Sequence, residues 1–240
     1  LPELFVKHGD QIAEYWDPGY YLVLAEYHQT MLEVEGRPNL VYAQPTSGLR
    51  RWISDVAITV LSPSVQLRNR YDSYGIEIND SSISLRIEFP VHRYLEDRRE
   101  TEEGAAIEVP RTRALVLGAD AQTTSWAFVL GDFPFLFKSE TPAAKAIAAA
   151  QGNVDLLRGD VMKVSHHGSK HGVNLELVER VHPRVTLVSS VADQGQFNFP
   201  HAVAQDLIRE AIFPTEGLGG YPDDFESDMN LFYTADVDDN

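Results

Sequence analysis

Two adjacent histidines, His166 and His167, sit at the end of a short apolar run and are followed at once by Gly168 and Ser169. The surrounding segment, Val161 to Val173, reads VMKVSHHGSKHGV. Neutral imidazole is a common ligand for zinc, manganese or iron, and a glycine directly behind the pair lets the backbone turn sharply. Asp120 closes another apolar run after Gly118-Ala119, and His201 follows Pro200 in a later loop. Asp120, His166 and His167 are therefore the candidate metal ligands, with two surface histidines in a loop as the plainer alternative. In an extended strand neighbouring side chains alternate faces, so His166 continues the side of Met162 and Val164, and His167 that of Lys163. Both reach one site only if the strand ends by about Ser165 and Gly168 bends the chain.

The composition narrows the chemistry. No cysteine is present, which excludes disulfides, thiolate ligands and a cysteine nucleophile. A metal site must then use His, Asp, Glu and water. No G-x-S-x-G occurs, so a serine hydrolase is disfavoured, and Gly217, Gly219 and Gly220 form no phosphate-loop pattern. The 240 residues carry a net charge of −16. Such a surface repels a phosphate backbone at long range and argues against a protein that coats DNA, though metal ions in a site reverse the field locally. Hydrophobic residues at 43% and charged residues at 23% fit a globular chain with a real core. No apolar run approaches the ~20 residues of a membrane helix, and LPELFVKHGD lacks the pattern of a signal peptide, so a cytoplasmic location is expected.

The elements that must position these residues follow from periodicity. Leu4, Phe5, Ile12 and Trp16 suggest a helix face, Asp17-Pro18-Gly19 a turn, and Tyr20 to Met31 a loosely patterned helix that breaks at Arg37-Pro38-Asn39. Val56 to Leu61 reads as a strand. Ile83, Leu85, Ile87 and Phe89 alternate with polar residues as a half-buried strand does. Residues 91–113 read as a charged hairpin loop or insertion, and Ala114 to Leu117 as a short buried strand. Ala121 to Leu130 is a helix candidate. A second starts at Thr141-Pro142 and closes at Gly152, with a third from about Asn174 and a fourth through Val203, Leu207, Ile208, Ala211 and Ile212. Val185 to Val191 and Leu231-Phe232-Tyr233 are further strands. His8, His28 and His92 stand without partners. Strands alternating with helices predict an α/β or layered αββα fold with no domain boundary after residue 50.

The order Asn79-x-x-Ser82, strand-Gly118-x-Asp120, Lys163-Val-Ser-His166-His167-Gly168-Ser169 and Pro200-His201 resembles the second half of a metallo-β-lactamase-fold hydrolase. The nearest branch is the soluble C-terminal domain of the DNA-uptake channel proteins of natural competence. The resemblance runs from about Val56 to Asp236, and the HHGS segment with its lysine is its most specific part. The family has Gly directly before the aspartate, whereas Ala119 intervenes here. It also has an H-x-H-x-D-H cluster, and no H-x-H spacing exists in this chain. LPELFVKHGDQIAEYWDPG resembles the helix after that cluster, so the expectation is a chain that starts just downstream of the main ligands. The missing cluster would lie upstream or on another chain.

The resemblance implies an αββα sandwich over residues 1–240, comprising the second half and part of the first. It implies two zinc ions, with manganese or iron as alternatives, and a metal-bound hydroxide as nucleophile. Asp120 would bridge the ions, His167 would be a ligand and His166 a donor to the substrate or leaving group. Lys163, Ser169 and His201 would contact substrate or support the ligands. The implied substrate is a phosphodiester or related ester, on a nucleotide or single-stranded nucleic acid. The competing expectation is a non-catalytic interaction module that retains a half-site and docks a partner through the face the missing half would cover.

Overall fold

The computed structural model describes residues 1–73, 75–90, 112–134, 155–191, 198–212 and 231–235. The expected helix at Thr141-Pro142, His92 and most of the charged 91–113 segment lie outside them. The architecture is α/β, as expected from the alternation of elements. Its centre is a seven-stranded mixed sheet in sequence order: β3 (Arg50–Ile53), β4 (Val56–Ser62), β5 (Ser84–Pro90), β6 (Thr112–Leu117), β7 (Val161–Lys163), β8 (Val185–Val191) and β9 (Leu231–Ala235). The first four strands pair antiparallel and the last four pair parallel. The separate strands β1 (Glu14–Trp16) and β2 (Val41–Ala43) form a small parallel pair.

Six helices are described: α1 (Pro2–His8), α2 (Ala25–Glu35), α3 (Val65–Arg68), α4 (Thr123–Asp132), α5 (Leu175–Val181) and α6 (Ala202–Ile212). Three of them make the core against one face of the sheet. Trp126 and Val129 of α4, Leu177, Val178 and Val181 of α5, and Ala204 and Ile208 of α6 bury against Val116, Met162, Val188 and Leu231. The helix expected from about Asn174 is α5, and Asn174 caps it, its Oδ1 accepting from Leu177 N at 2.7 Å.

The opposite face carries a cross-strand row read directly from the register. Ile58 faces Ile87, Ile87 faces Leu115, Leu115 faces Val161, and Val161 faces Val185. All five are half-buried, whereas the core-facing Val116 and Met162 are fully buried. The described residues thus show one large sheet with helices on one face. The second large sheet of the αββα arrangement is not among them.

The N-terminal region departs from its sequence reading. Ile12 and Trp16 do not extend a helix from Phe5. The helix stops at His8, a short 3-10 turn covers Gly9–Gln11, and Trp16 belongs to β1. Aromatic residues pack well on a pleated surface, and pairing with Val41–Ala43 outweighs the helical spacing. Likewise the helix read from Tyr20 begins only at Ala25, with extended Leu24 before it. Tyr and Val are weaker helix formers than the Ala-Glu that follows. Asp17-Pro18-Gly19 is a turn, with Gly19 N–H donating to Asp17 Oδ1 at 2.7 Å and Gly19 at φ 82°. His8 is exposed, and the ring of His28 bonds Tyr21 Oη at 2.9 Å, so among the described residues neither joins a site.

Asp17, 1% exposed, is surrounded by tyrosines whose hydroxyls resist ionisation. Tyr71 is pushed up to about 12, first by burial and then opposed by nearby Arg68. A raised acid pKa favours the neutral folded form, so the stabilisation is intact below the unfolded value near 10. It falls as pH rises from there through about 12. Tyr71→Phe should blunt this alkaline loss, read as unfolding midpoints at pH 8 and pH 11. Identical pH slopes in the two proteins would mean Tyr71 does not carry it.

Candidate metal centre

The tips of β6 and β7 are stitched into one ledge. Gly118 N–H donates to Lys163 O at 3.0 Å, and His166 N–H donates to Ala119 O at 2.9 Å. A Cβ on Gly118 would sit 2.8 Å from Ser165 N, so glycine is what permits the approach. Ala119, the residue that departs from the family pattern, takes φ 48°. Its left-handed conformation makes the turn that presents Asp120. No hydrogen bond to the Asp120 carboxylate exists among the described residues, and the residue is partly exposed.

β7 ends at Lys163, before the histidines. Ser165–Gly168 then forms a tight turn in which His166 (φ 46°, ψ 48°), His167 (φ 54°, ψ 24°) and Gly168 (φ 77°) are all left-handed. Two consecutive non-glycine residues in that region cost energy and persist only where the surroundings hold them. The holding contacts are identifiable. Ser169 N–H donates to His166 O at 2.8 Å, His201 N–H to Gly168 O at 3.0 Å, and a Cβ at Gly168 would meet Pro200 Cβ at 2.7 Å. The condition for both histidines to serve one site, a strand that ends before Ser165 and a bend at Gly168, is therefore met.

Each imidazole has its own environment. His167 Nδ1 lies 2.6 Å from Ser189 O, a carbonyl that can only accept, so Nδ1 carries the proton. In the neutral ring this leaves the exposed Nε2 with its lone pair free. His166 is partly exposed, yet its Nδ1 is buried with no partner among the described residues. His201 Nδ1 accepts from Lys170 N at 3.1 Å, so its neutral ring presents Nε2–H, a donor and not a ligand. The His166 and His167 rings lie 6.5 Å apart, and the ring of Phe199 touches all three histidines. It lies 5.3 Å from His166, stacks on His167 at 6.1 Å, and meets His201 edge-on at 5.1 Å.

Lys163 and Ser169 differ in exposure. Ser169 is 2% exposed and its Oγ accepts from His171 N at 3.3 Å, so its hydroxyl is engaged within the turn. Half-buried Lys163 has its ammonium lowered from the ordinary lysine value by burial, with the Asp120 charge pulling the other way. Lys163 and Asp120 therefore share one electrostatic neighbourhood. Among the described residues, no three His, Asp or Glu side chains gather as a metal ion requires. Asp120, His167 and the orphaned nitrogen of His166 fit a metal in donor type and as part of a ligand set, not as a closed one.

Neither protein-family models nor curated proteins give a match to this sequence. The functional reading consequently rests on the residues themselves. Two residues that hold side chain or backbone in these loops were not legible in the sequence. Ser189, which fixes the His167 tautomer, lies 22 residues away in β8. Buried Asp80, which accepts from Ser125 Oγ at 3.2 Å and from Glu77 N at 3.0 Å, sits unmarked inside the Asn79-x-x-Ser82 segment. Only the pairing of β8 with β7 could have pointed to Ser189.

Proposed function

We propose that this chain is part of a metal-dependent hydrolase acting on a phosphodiester or related ester, carried on a nucleotide or on single-stranded nucleic acid, in the cytoplasm. The observation that carries the proposal is the His167 ring, an exposed side chain whose Nδ1 is fixed 2.6 Å from the Ser189 carbonyl, which leaves Nε2 uncommitted. Metal-ligating histidines are oriented in this way, by a carbonyl or carboxylate on the second nitrogen. A divalent ion, zinc with manganese or iron as alternatives, supplies an acidified water and polarises the scissile group. His167 and Asp120 would hold it. The remaining ligands would come from a segment upstream or on another chain. His166 would hold the proton for the leaving group, and His201 Nε2–H would orient the substrate.

A second reading, a non-catalytic module that docks a partner, is favoured by the half-exposed row from Ile58 to Val185. No helix among the described residues is long and apolar enough to cross a membrane. Elemental analysis with hydrolysis of bis(p-nitrophenyl) phosphate separates the readings. The chain alone should bind zinc or manganese weakly, through Asp120 and His167, and gain tight binding and turnover once the complementary segment is supplied. A protein that takes up no metal in either form, yet captures a hydrophobic dye strongly, would favour the docking module.

A further inference from the structure

At the opposite end of β7 from the histidine turn lies a cluster that the hydrolase reading does not use. Asp160 immediately precedes β7 and Arg184 immediately precedes β8, whereas the histidines follow β7. A cavity of about 330 Å³ opens there, lined by Arg86, Arg113, Arg158, Arg184, His182 and Asp160 together with backbone of Ala114 and Gly159. Four arginines face one aspartate, in a chain whose net charge is −16. Positive charge is concentrated here against the trend of the whole surface.

The floor of this cavity is rigid. Asp160 Oδ2 accepts from Ala114 N at 2.9 Å, and its carbonyl accepts from Arg184 N at 2.8 Å and Val185 N at 3.1 Å. Gly159 N–H donates to Val181 O at 2.9 Å, and a Cβ on Gly159 would come within 2.8 Å of Val116 Cγ2, so the loop lies flush on the core. Two of the arginines are tied down. Arg113 pairs with Asp160 at 2.5 Å, while Arg86 donates Nε to Arg158 O at 2.7 Å and pairs with Glu88 at 2.9 Å. The other two, Arg158 and Arg184, are exposed and have no acidic partner among the described residues. Among the described residues their guanidinium donors have no partner, and the backbone that carries them is held in place.

We propose that this cavity binds a phosphate group, with Arg158 and Arg184 contacting its oxygens and Arg86 and Arg113 supplying a fixed positive field. Guanidinium forks match tetrahedral oxyanions in geometry, and charge-assisted bonds to them are about twice as strong as neutral ones. The volume exceeds what a bare anion fills and falls at the lower end for small-ligand pockets. The ligand class is accordingly a phosphomonoester of a small molecule, with free phosphate as the other source of the same chemistry. The site is independent of any metal bound at the histidine turn.

The test is calorimetric titration of the protein, in a phosphate-free buffer, with inorganic phosphate and separately with adenosine monophosphate. Both should bind saturably and more weakly as salt rises. Arg158→Gln and Arg184→Gln should each weaken binding roughly 10-fold or more, the scale of one charge-assisted hydrogen bond. Both substitutions are at exposed side chains, and matching thermal unfolding would show that the fold survives. Tighter binding of the nucleotide than of phosphate would assign the site to an organic phosphomonoester, and equal binding to free phosphate. Asp120→Ala should leave both affinities unchanged. Absence of saturable binding, binding untouched by the double Arg158→Gln/Arg184→Gln change, or binding lost in Asp120→Ala would overturn the proposal.

Discussion

His167→Ala is expected to remove a metal ion and nearly all hydrolytic turnover, whereas His166→Ala should keep the metal and lose about 10²–10⁴-fold in turnover, the scale of a general acid or base. The asymmetry follows from the two rings. His167 Nδ1–H is committed to Ser189 O at 2.6 Å, which fixes the ring and leaves Nε2 as a free lone pair. His166 has no such anchor, because its buried Nδ1 lacks any partner among the described residues. A ring fixed by a carbonyl suits coordination, which leaves the unanchored ring of His166 for the acid–base role. Asp120→Ala should resemble His167→Ala and exceed it, since a bridging carboxylate would serve both ions. Measurement calls for the complete ligand set, with metal content and turnover read together. If His166→Ala strips the metal and His167→Ala does not, the roles are reversed. If neither changes metal content or rate, the hydrolase proposal falls.

The same two residues show how far the sequence carried. A short apolar run followed by His-His-Gly-Ser was enough to locate the turn, because chain-local chemistry determines where a strand must stop. It could not supply the dihedrals. His166 and His167 are left-handed owing to bonds from Ser169 and His201 and to contact of Gly168 with Pro200, contacts between residues up to 33 positions apart. Strands with clear alternation, such as Ile83 to Phe89, were legible because period two marks a strand even where, as here, its apolar face is only half-buried and Phe89 is exposed. The misread stretch from Ile12 to Tyr20 lacked that signature, and its strand exists only because Val41–Ala43 pairs with it. The arginine cavity was invisible for a third reason. Arg86, Arg113, Arg158 and Arg184 are spread over 99 positions, and only the antiparallel pairing of β5 with β6 and the parallel register of β6, β7 and β8 gather them.

The largest expected loss of stability comes from a pair that no local pattern announces. Arg180 on α5 is 5% exposed and grips Asp155 with two bonds, Nε to Oδ2 at 2.9 Å and Nη2 to Oδ1 at 3.0 Å. It also donates to Phe133 O, just past the end of α4. Asp155 Oδ1 in turn accepts from Leu157 N at 2.9 Å, which fixes the segment leading into β7. One guanidinium therefore ties both helices to the strand that ends at the histidine turn. Asp155→Ala would remove the carboxylate that grips this buried cation with two bonds and should cost about 3–5 kcal/mol, because less of its desolvation is then offset. That is a large part of the roughly 5–15 kcal/mol that holds a typical domain together. Arg180→Met, which removes the charge and keeps the packing, should cost less than Asp155→Ala when it is combined with Asp155→Leu. Urea unfolding of the single and double variants measures both. If the double variant is as unstable as Asp155→Ala alone, the loss comes from the missing bonds to Phe133 and Leu157, and not from the stranded charge.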